Sequence, residues 1–192
     1  MARINFDRFL KTEKQKQFST DFFRDAKEYE AWADIDFRSD KEIPGEQTFV
    51  IKAEDMITYA QGVLDENPLM VDEEYAKKSP YKGLVPHPLF LVQIGFWCIG
   101  VKGRGNWIRT PGARNPGQDI EIYEPFRVGE TIHIMMRPFD RYIKRKKNYL
   151  KYKMDYYNER NVKKATWILT LILPKTKEDI KKFVEGIRAL EA

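Results

Sequence analysis

Residues 83–100 read GLVPHPLFLVQIGFWCIG, and this stretch decides the architecture of the chain. From Leu89 to Gly100 the apolar side chains fall on every side of a helix, and a helix of this kind is a buried one. Pro88 stands at its start, where the missing N–H of proline costs nothing. The apolar run is interrupted by Gln93 and is shorter than the roughly 20 residues that a membrane-spanning helix needs. The stretch therefore predicts a helix buried in the core of a domain.

The chain after this helix alternates between apolar and polar side chains, as strands do when one face of their sheet is buried. We predict four strands there: Asp119–Pro125, Glu130–Arg137, Asn148–Asn158 and Ala165–Leu173. The last of them is apolar on both faces, which is typical of a central strand. The connections at Arg127–Gly129 and Tyr157–Val162 are short and favour antiparallel neighbours.

Shorter elements flank this core. The spacing of apolar residues and the capping residues predict a strand at Thr48–Lys52 and helices at Glu54–Val63, Asp72–Lys78, Phe22–Ala33 and Lys177–Leu190. We predict an α+β fold in which a curled antiparallel sheet surrounds a long apolar helix, with helical arms at both ends. The expected boundaries are residues 1–46 for the N-terminal arm, 47–174 for the domain and 175–192 for the C-terminal helix.

The composition excludes several classes of protein. Of the 192 residues, 42% are hydrophobic and 14% aromatic, which argues against a disordered chain. The formal net charge of +5 is compatible with anionic small molecules, nucleic acid or simple solubility as its cause. Cys98 is the single cysteine, which excludes an intramolecular disulfide and a multi-cysteine metal site. With only His87 and His133 available, we expect no zinc site either.

Cys98 lies in the apolar run and is expected to be an inert buried thiol. The opening segment Met1–Lys16 alternates charges with single apolar residues and has no apolar centre, so it does not resemble a secretory signal. We therefore expect a soluble protein of a reducing compartment, with the cytoplasm as its location and no membrane partner.

A second stretch carries the polar residues of chemical interest. It reads Asp65-Glu66-Asn67-Pro68-Leu69-Met70-Val71-Asp72, and Asn67-Pro68 is a turn signal after a predicted helix. The turn would leave Asp65 at a helix end, close to the start of the apolar helix. A carboxylate that faces an apolar wall is a candidate general base. The alternative is that Asp65 only caps the turn, and the residues alone favour this second role.

Together the two stretches resemble the MaoC-like dehydratase family of hot-dog folds, which includes R-specific enoyl-CoA hydratases. The family signature runs G-D-x-N-P-L-H, then x-D-x-x-x-A, then I-A-H-G-M-L. This chain offers Asp65 to Leu69, then Asp72 through Ala76, then Val85-Pro86-His87-Pro88-Leu89-Phe90. The segment Gly117–Thr131 also resembles the family's strand and its Pro-x-x-x-Gly-Asp turn. The resemblance covers about Thr48–Leu173 and implies a hot-dog fold and a role in acyl-thioester metabolism.

The resemblance implies an acid/base pair, and this chain departs from it at two positions. In the family, the Asp and the His of the first signature hold the water that adds across the double bond of an enoyl thioester. Asp65 matches the Asp, but Met70 stands at the His position, and a thioether cannot transfer a proton at neutral pH. The Gly whose amide binds the thioester carbonyl is replaced by Pro88, which has no N–H.

The resemblance therefore makes Asp65 and His87 the catalytic candidates, because His87 lies beside the expected pocket entrance and could replace the missing imidazole. The favoured alternative is that His87 caps the apolar helix through backbone hydrogen bonds. The expected substrate-binding residues are Asn67, Met70, Pro88 and Leu89. The implied substrate is an acyl thioester of coenzyme A or of acyl carrier protein, and the implied chemistry needs no cofactor.

Two functions stay open at this point. The first is a hydratase or dehydratase subunit that adds water reversibly to a trans-2-enoyl thioester, as a homodimer or as a heteromer with another hot-dog subunit. The second is a non-catalytic acyl-CoA-binding or scaffolding subunit, since some members of the family lack the active pair and accompany a catalytic partner.

Two cationic segments suggest further contacts. Lys102, Arg104 and Arg114 lie in Val101–Gly117, a predicted flexible loop that could meet the phosphates of coenzyme A. A solvated charged loop is the favoured alternative. Arg141–Tyr149 is a basic run with interleaved tyrosines, a pattern seen on nucleic-acid-binding surfaces. It also spans a predicted hairpin turn, where lysines keep strands soluble, and we do not expect nucleic acid as the partner.

Overall fold

The computed structural model describes residues 10–17, 29–37, 41–100 and 105–191. Within these ranges a six-stranded antiparallel sheet is present. Its strands are β1 (Ile43–Pro44), β2 (Phe49–Val50), β3 (Arg114–Ile122), β4 (Thr131–Lys144), β5 (Lys147–Tyr157) and β6 (Lys163–Leu173). The strand order is β1-β4-β5-β6-β3, and β2 also pairs with β4, beyond β1 on the same edge. The predicted strands are confirmed, and β6 lies inside the sheet as its two apolar faces predict.

The predicted helices at Glu54–Val63, Asp72–Lys78, Leu89–Gly100 and Lys177–Leu190 are present, and the described residues contain two short helices that were not predicted, at Glu13–Gln17 and Pro68–Val71. The helices are α1 (Glu13–Gln17), α2 (Ala53–Gly62), α3 (Pro68–Val71), α4 (Glu73–Lys78), α5 (Phe90–Ile99) and α6 (Lys177–Glu191), with 3-10 turns at Trp32–Asp34 and Asn106–Arg109. Helix α5 is the predicted buried helix. It ends at Gly100, whose φ of 70° is a backbone conformation that glycine adopts without strain.

The core lies between α5 and the inner face of β4, β5 and β6. Helix α5 contributes Phe90, Leu91, Ile94, Cys98 and Ile99, and the strands contribute Ile132, Ile134, Met136, Leu150, Tyr152, Met154, Tyr156, Ala165, Trp167, Leu169 and Leu171, all buried. Helix and sheet approach most closely at Gly95, where an added Cβ would meet Met154 Sδ and Trp167 Cζ3 at 3.0 Å. The predicted α+β architecture, a sheet around a long apolar helix, is confirmed.

The connection Arg127–Gly129 does not join neighbouring strands, so that prediction is wrong. Strand β3 pairs with β6, whereas β4 pairs with β5. After β3, the amide of Tyr123 still bonds to Lys164 O at 2.9 Å, and the chain then crosses to Gly129, whose amide bonds to Ile51 O at 2.8 Å. The crossing carries the chain from one edge of the sheet to the other, which a local turn signal cannot reveal. The connection Tyr157–Val162 is a hairpin as predicted.

The described part of the N-terminal arm packs against the end of the sheet. Ala31 and Ile35 are buried, and the amides of Trp32 and Ala33 donate at 3.0 Å to the carbonyls of Pro174 and Lys175. The predicted helix at Phe22–Ala33 lies largely outside the described residues, and its last residues begin the 3-10 turn. The C-terminal helix is present as α6, with Ile180 buried.

The predicted inert thiol is confirmed. Cys98 is buried, with its Sγ 3.7 Å from the carbonyl oxygen of Ile132. Burial raises the pKa of this thiol to about 12, so the reactive thiolate is not formed at neutral pH.

Candidate active site

The polar side chains of the first signature stretch shape its own turn. The amide of Asp65 donates to Ala60 O at 2.9 Å and ends helix α2. Its Oδ1 accepts from the amide of Asn67 at 3.0 Å, and Asn67 Oδ1 in turn accepts from the amide of Leu69 at 3.1 Å, which caps α3. Asp65 is half-buried, and its Oδ2 has no hydrogen bond to any described residue. One carboxylate oxygen is thus left for a water or a substrate group.

The two signature stretches meet through the backbone. The amide of Val85 donates to Leu69 O at 3.0 Å and fixes α3 against the segment that leads into helix α5. This bond joins Leu69, four residues after Asp65, to Val85, two residues before His87. Pro86 and Leu84 are buried on either side of Val85 and anchor the segment.

His87 is engaged at the start of the buried helix. Its Nδ1 accepts from the amide of Leu89 at 3.1 Å, and its carbonyl oxygen accepts from the amide of Phe90 at 2.8 Å. A nitrogen that accepts a hydrogen bond carries no proton, so the neutral ring in this arrangement holds its proton on Nε2. In this arrangement the Leu89 amide occupies the Nδ1 lone pair, and Nε2 is left as a donor.

Tyr59 of helix α2 packs against the second signature stretch and was not predicted to belong to the site. Its ring lies 5.7 Å from the His87 ring and 5.5 Å from the Phe90 ring, centroid to centroid. Burial raises the pKa of its hydroxyl, which therefore stays protonated at neutral pH. Tyr59 precedes the buried Ala60 of α2 by one residue. No feature of the sequence near Tyr59 indicates its contact with His87.

The predicted substrate-binding residues differ in exposure. Asn67, Pro88 and Leu89 are exposed, and Met70 is half-buried in α3. Met70 donates its amide to Asn67 O at 2.8 Å and offers only a thioether where the family signature has an imidazole. Pro88 precedes the helix by two residues and presents no N–H there. An exposed rim with one half-buried thioether can hold a substrate but supplies no second proton-transfer group.

The N-terminal segment packs beside this site. Lys14 Nζ pairs with the buried Asp55 Oδ2 at 2.5 Å and lies 4.6 Å from the centroid of the Phe49 ring. Thr12, Gln15, Thr58, Tyr59, Phe90 and Gln93 complete the lining of a cavity of about 80 Å³ there. Such a cavity has room for a few water molecules but not for an acyl chain.

The predicted phosphate-binding cations are only partly described. Lys102 and Arg104 lie outside the described residues. Arg114 is exposed at the start of β3, so the part of the predicted loop from Arg114 to Gly117 is strand instead. Arg114 pairs with Ile172 and Gly117 with Thr170 of β6, although this part of β3 is exposed and carries no apolar alternation that would predict a strand.

An apolar groove of about 380 Å³ lies between α5 and the edge strand β3. It is lined by Val92, Phe96, Ile108, Ala113, Trp167 and Leu171, together with Arg114, Asn115 and Gln118. Gln118 Oε1 accepts from Trp167 Nε1 at 3.0 Å and holds the indole in place. Strand β3 pairs with β6 on one side, and on its other side no described strand covers it.

The basic run Arg141–Tyr149 forms the predicted hairpin between β4 and β5. The rings of Tyr142 and Tyr149 stack on each other with centroids 4.9 Å apart. Arg141 lies over the Trp32 ring at 4.5 Å and donates to carbonyls of the N-terminal arm. These tyrosines and Arg141 are thus occupied within the chain.

Within the described ranges, no three His, Cys, Asp or Glu side chains are grouped so that they could hold a metal ion. A search of the same residues finds no helix with the length and hydrophobicity needed to cross a membrane.

A family model, described as the FAS1-like dehydratase domain region, matches residues 41–166. The chain belongs to this family. The match spans α2 to α5 and most of the sheet, and it confirms the predicted relationship to MaoC-like dehydratases. A search of curated proteins finds no match to the chain.

Solved structures with the same fold support this membership. R-hydratase PhaJ1 from Pseudomonas aeruginosa is 18% identical, with a TM-score of 0.60 over 76% of this chain and 86% of that chain. A MaoC-like dehydratase from Rhodospirillum rubrum is 16% identical, with a TM-score of 0.60 over 71% of this chain and 92% of that one. A chain of the HadBC (3R-hydroxyacyl-ACP dehydratase) complex from Mycobacterium tuberculosis is 15% identical, with a TM-score of 0.59 over 70% and 97%. At these identities the likeness establishes the fold, which is the hot-dog fold.

Proposed function

We propose that this member of the FAS1-like dehydratase family is a subunit of an acyl-thioester hydratase or dehydratase. It acts on a trans-2-enoyl thioester of coenzyme A or acyl carrier protein and has little turnover without a partner subunit. The observation that carries the proposal is the hydrogen bond from Val85 to Leu69, which holds the Asp65 turn against the entry to the buried helix. Family membership supplies the reaction class.

Asp65 is the acid/base group in this proposal. Its Oδ1 is fixed by the amide of Asn67, so Oδ2 is oriented and can hold the water that adds to the double bond. The departing or arriving proton then moves through this carboxylate and water. The reaction redistributes water and protons alone, so the proposal requires no cofactor.

The isolated chain lacks two groups that such a site needs. Met70 supplies no proton, and Pro88 supplies no amide for the thioester oxygen. Proton transfer contributes about 10²–10⁴-fold and one oxyanion donor about 10²–10³-fold to the rate. His87 does not compensate as a base, because its Nδ1 already accepts from the amide of Leu89.

A second hot-dog chain would supply the missing groups. The exposed edge of β3 and the apolar groove beside it offer a surface where another sheet could continue this one. The HadBC assembly, to which this chain is similar, is a complex by its own description. The partner that supplies these groups is a different hot-dog subunit, since a second copy of this chain would carry the same Met70 and Pro88.

The test is turnover of a trans-2-enoyl-CoA by the complete assembly, obtained by co-purification and checked by solution mass. Asp65→Asn should abolish hydration, because the amide cannot accept the proton. Asp72→Asn is the matched control, since Asp72 only caps α4 and asparagine caps equally well. Unchanged activity in Asp65→Asn would remove Asp65 from the mechanism, and a strictly monomeric protein would contradict the assembly.

A second candidate function is a non-catalytic acyl-CoA-binding or scaffolding subunit. The turn-capping roles of Asp65 and Asn67 and the substitution at Pro88 favour it, because these residues have structural duties that need no chemistry. In this case the apolar groove beside β3 would form one wall of the partner's acyl site. The assembly carrying Asp65→Asn would then keep its full rate, and the isolated chain would be inert with or without Met70→His.

A further inference from the structure

A second cavity lies beside the loop that leads into α5, and charged side chains line most of it. Its volume is about 270 Å³, and it is lined by Glu73 and Lys77 of α4, by Tyr81, Lys82, Gly83 and Leu84, and by Arg127 and Val128. Three of these side chains are cationic and one is anionic. The cavity therefore combines residues of the 73–84 segment with the distant Arg127 and Val128 into one basic, partly apolar site.

Lys82 is the central cation of this site. Its φ of 56° lies in the left-handed region, which a non-glycine residue adopts at a cost of about 1 kcal/mol. Lys82 is exposed and has no ion pair with a described residue. Lys82 thus lines the cavity without an ion pair to any described carboxylate.

Arg127 is held in place beside it. Its Nη1 donates to the carbonyl oxygen of Tyr81 at 2.9 Å, which ties the strand connection to the loop. Guanidinium has five N–H donors, so most of them remain for a ligand. Lys77 pairs with the exposed Glu74 at 2.8 Å, and an exposed pair of this kind is weak enough to exchange partners.

The cavity also has a flat apolar part. Tyr81 is 47% exposed and Val128 is 48% exposed, although both are large hydrophobic side chains. An exposed tyrosine ring next to an arginine and a lysine is the arrangement on which a nucleobase stacks while its phosphates meet the cations.

The loop connects this cavity directly to the candidate active site. Lys82 and His87 are five residues apart, so their Cα atoms are at most about 18 Å apart. Leu84 is buried and Val85 bonds to Leu69, which makes the intervening loop a fixed spacer.

We propose that this cavity binds the adenosine phosphate head group of a coenzyme A thioester, with Lys82, Lys77 and Arg127 on the phosphates and Tyr81 against the base. The inference rests on the proposed function and sharpens it, because it selects coenzyme A over acyl carrier protein as the carrier. It replaces Lys102, Arg104 and Arg114 as the phosphate-binding set.

The probe is adenosine 3′,5′-bisphosphate, which carries no thioester and therefore tests the cavity alone. Isothermal titration should show that Lys82→Gly weakens its binding about tenfold or more, the effect of losing one charge-assisted hydrogen bond. Glycine adopts a positive φ freely, so this variant should keep the wild-type melting temperature. Lys146→Gly is the matched control, because Lys146 is an exposed lysine with φ of 59° in the β4–β5 hairpin. It should bind like wild type.

Equal affinity of Lys82→Gly and Lys146→Gly for the bisphosphate, or no binding by wild type, would overturn the inference. In the assembly, a trans-2-enoyl-CoA should have a KM at least about tenfold below that of the matching enoyl-pantetheine, and Lys82→Gly should remove this difference. Equal KM values with normal turnover would sink the inference and leave the proposed function standing. Bisphosphate binding that depends on Lys82, without hydration of any thioester, would support the cavity and contradict the proposed function.

Discussion

The Nδ1 atom of His87 accepts a hydrogen bond from the amide of Leu89 at 3.1 Å, so the imidazole closes the turn that enters the buried helix. Removal of this acceptor in His87→Ala should lower the free energy of unfolding by about 1 kcal/mol, the net worth of one such bond. His87→Asn retains a short side-chain acceptor and should lose less. Urea unfolding at neutral pH measures both. A loss of turnover in His87→Asn without a loss of stability would show instead that the imidazole is catalytic.

Met70 and Pro88 together explain the expected inactivity of the isolated chain. Met70→His alone should stay weakly active, and Met70→His with Pro88→Gly should exceed either single change, because groups of one site act as a unit. Hydration of a trans-2-enoyl-CoA measures this, after thermal melting has confirmed that Pro88→Gly still folds. Full turnover in Met70→His alone would show that no amide is needed at Pro88.

Gly95 is required by the close packing of α5 on the sheet. An added Cβ would collide with the hydroxyl of Tyr156, which is buried without a hydrogen bond to any described residue. We expect Gly95→Ala to destabilise the fold by about 1–3 kcal/mol, against the usual gain of alanine in a helix. Tyr156→Phe in the same chain removes the colliding atom and should recover part of the loss.

The control for this pair is Gly62→Ala in α2, where an added Cβ meets nothing within 4 Å. Thermal denaturation of these three variants and of wild type decides the matter. If Gly95→Ala and Gly62→Ala have the same melting temperature, the close approach of helix and sheet does not require glycine at position 95.

Two buried carboxylates make the fold sensitive to acid. Burial raises the pKa of Glu130, but hydrogen bonds from Lys164, Asn158 and the Arg127 amide outweigh it, so this pKa lies below the ordinary value of 4.5. Burial also raises the pKa of Asp155, but hydrogen bonds from Lys163, Thr166 and Lys153 outweigh this effect. The pKa of Asp155 therefore lies below its ordinary value of 3.8. Both groups stabilise the fold fully above those ordinary values, and their contribution is lost as the pH falls through the lower folded-state values.

The expected result is a free energy of unfolding that is level near neutral pH and falls steeply below about pH 4, where the unfolded chain binds more protons. Glu130→Gln should make this fall shallower, because one of the two titrating groups is gone. Urea unfolding at a series of pH values from about 2.5 to 7 measures how the free energy of unfolding depends on pH. An acid fall that is unchanged in Glu130→Gln would mean that Glu130 does not contribute.

Arg141 fastens the N-terminal arm to the sheet. Its Nη1 donates at 3.0 Å to the carbonyls of Trp32 and of Ile35, and its guanidinium lies 4.5 Å from the Trp32 ring centroid. Lysine cannot make this planar, multiply bonded contact, so Arg141→Lys should speed amide hydrogen exchange in residues 31–37. Arg137→Lys, on the same strand, is the control and should leave exchange there unchanged. Equal exchange in both variants would contradict the fastening role.

The elements of the core follow from local patterns in the sequence. The run from Leu89 to Gly100 is apolar on all sides, and β4, β5 and β6 alternate or are apolar throughout, because burial acts on side chains at the helical or strand period. The turn roles of Asp65 and Asn67 are local as well, since each side chain bonds to an amide two residues on. For such features the sequence is sufficient, because every contact partner lies nearby along the chain.

The site is different because its partners are distant in sequence. Nothing near Tyr59 indicates its contact with His87, and nothing near Lys82 indicates that Arg127 lies beside it. The same holds for Arg141, whose pattern resembled a nucleic-acid surface until the arm supplied its carbonyl partners.

The sequence by itself determined an α+β domain with a buried helix, a motif that holds Asp65 in a turn, and the two departures from the family signature at Met70 and Pro88. Only the tertiary structure decided that β3 pairs with β6, that the lone pair of His87 is already engaged, and that a basic cavity forms around Lys82. The physical reason is range. Periodicity and capping depend on neighbours within a few residues, whereas strand order, ring contacts and converging charges arise only when folding brings remote segments together.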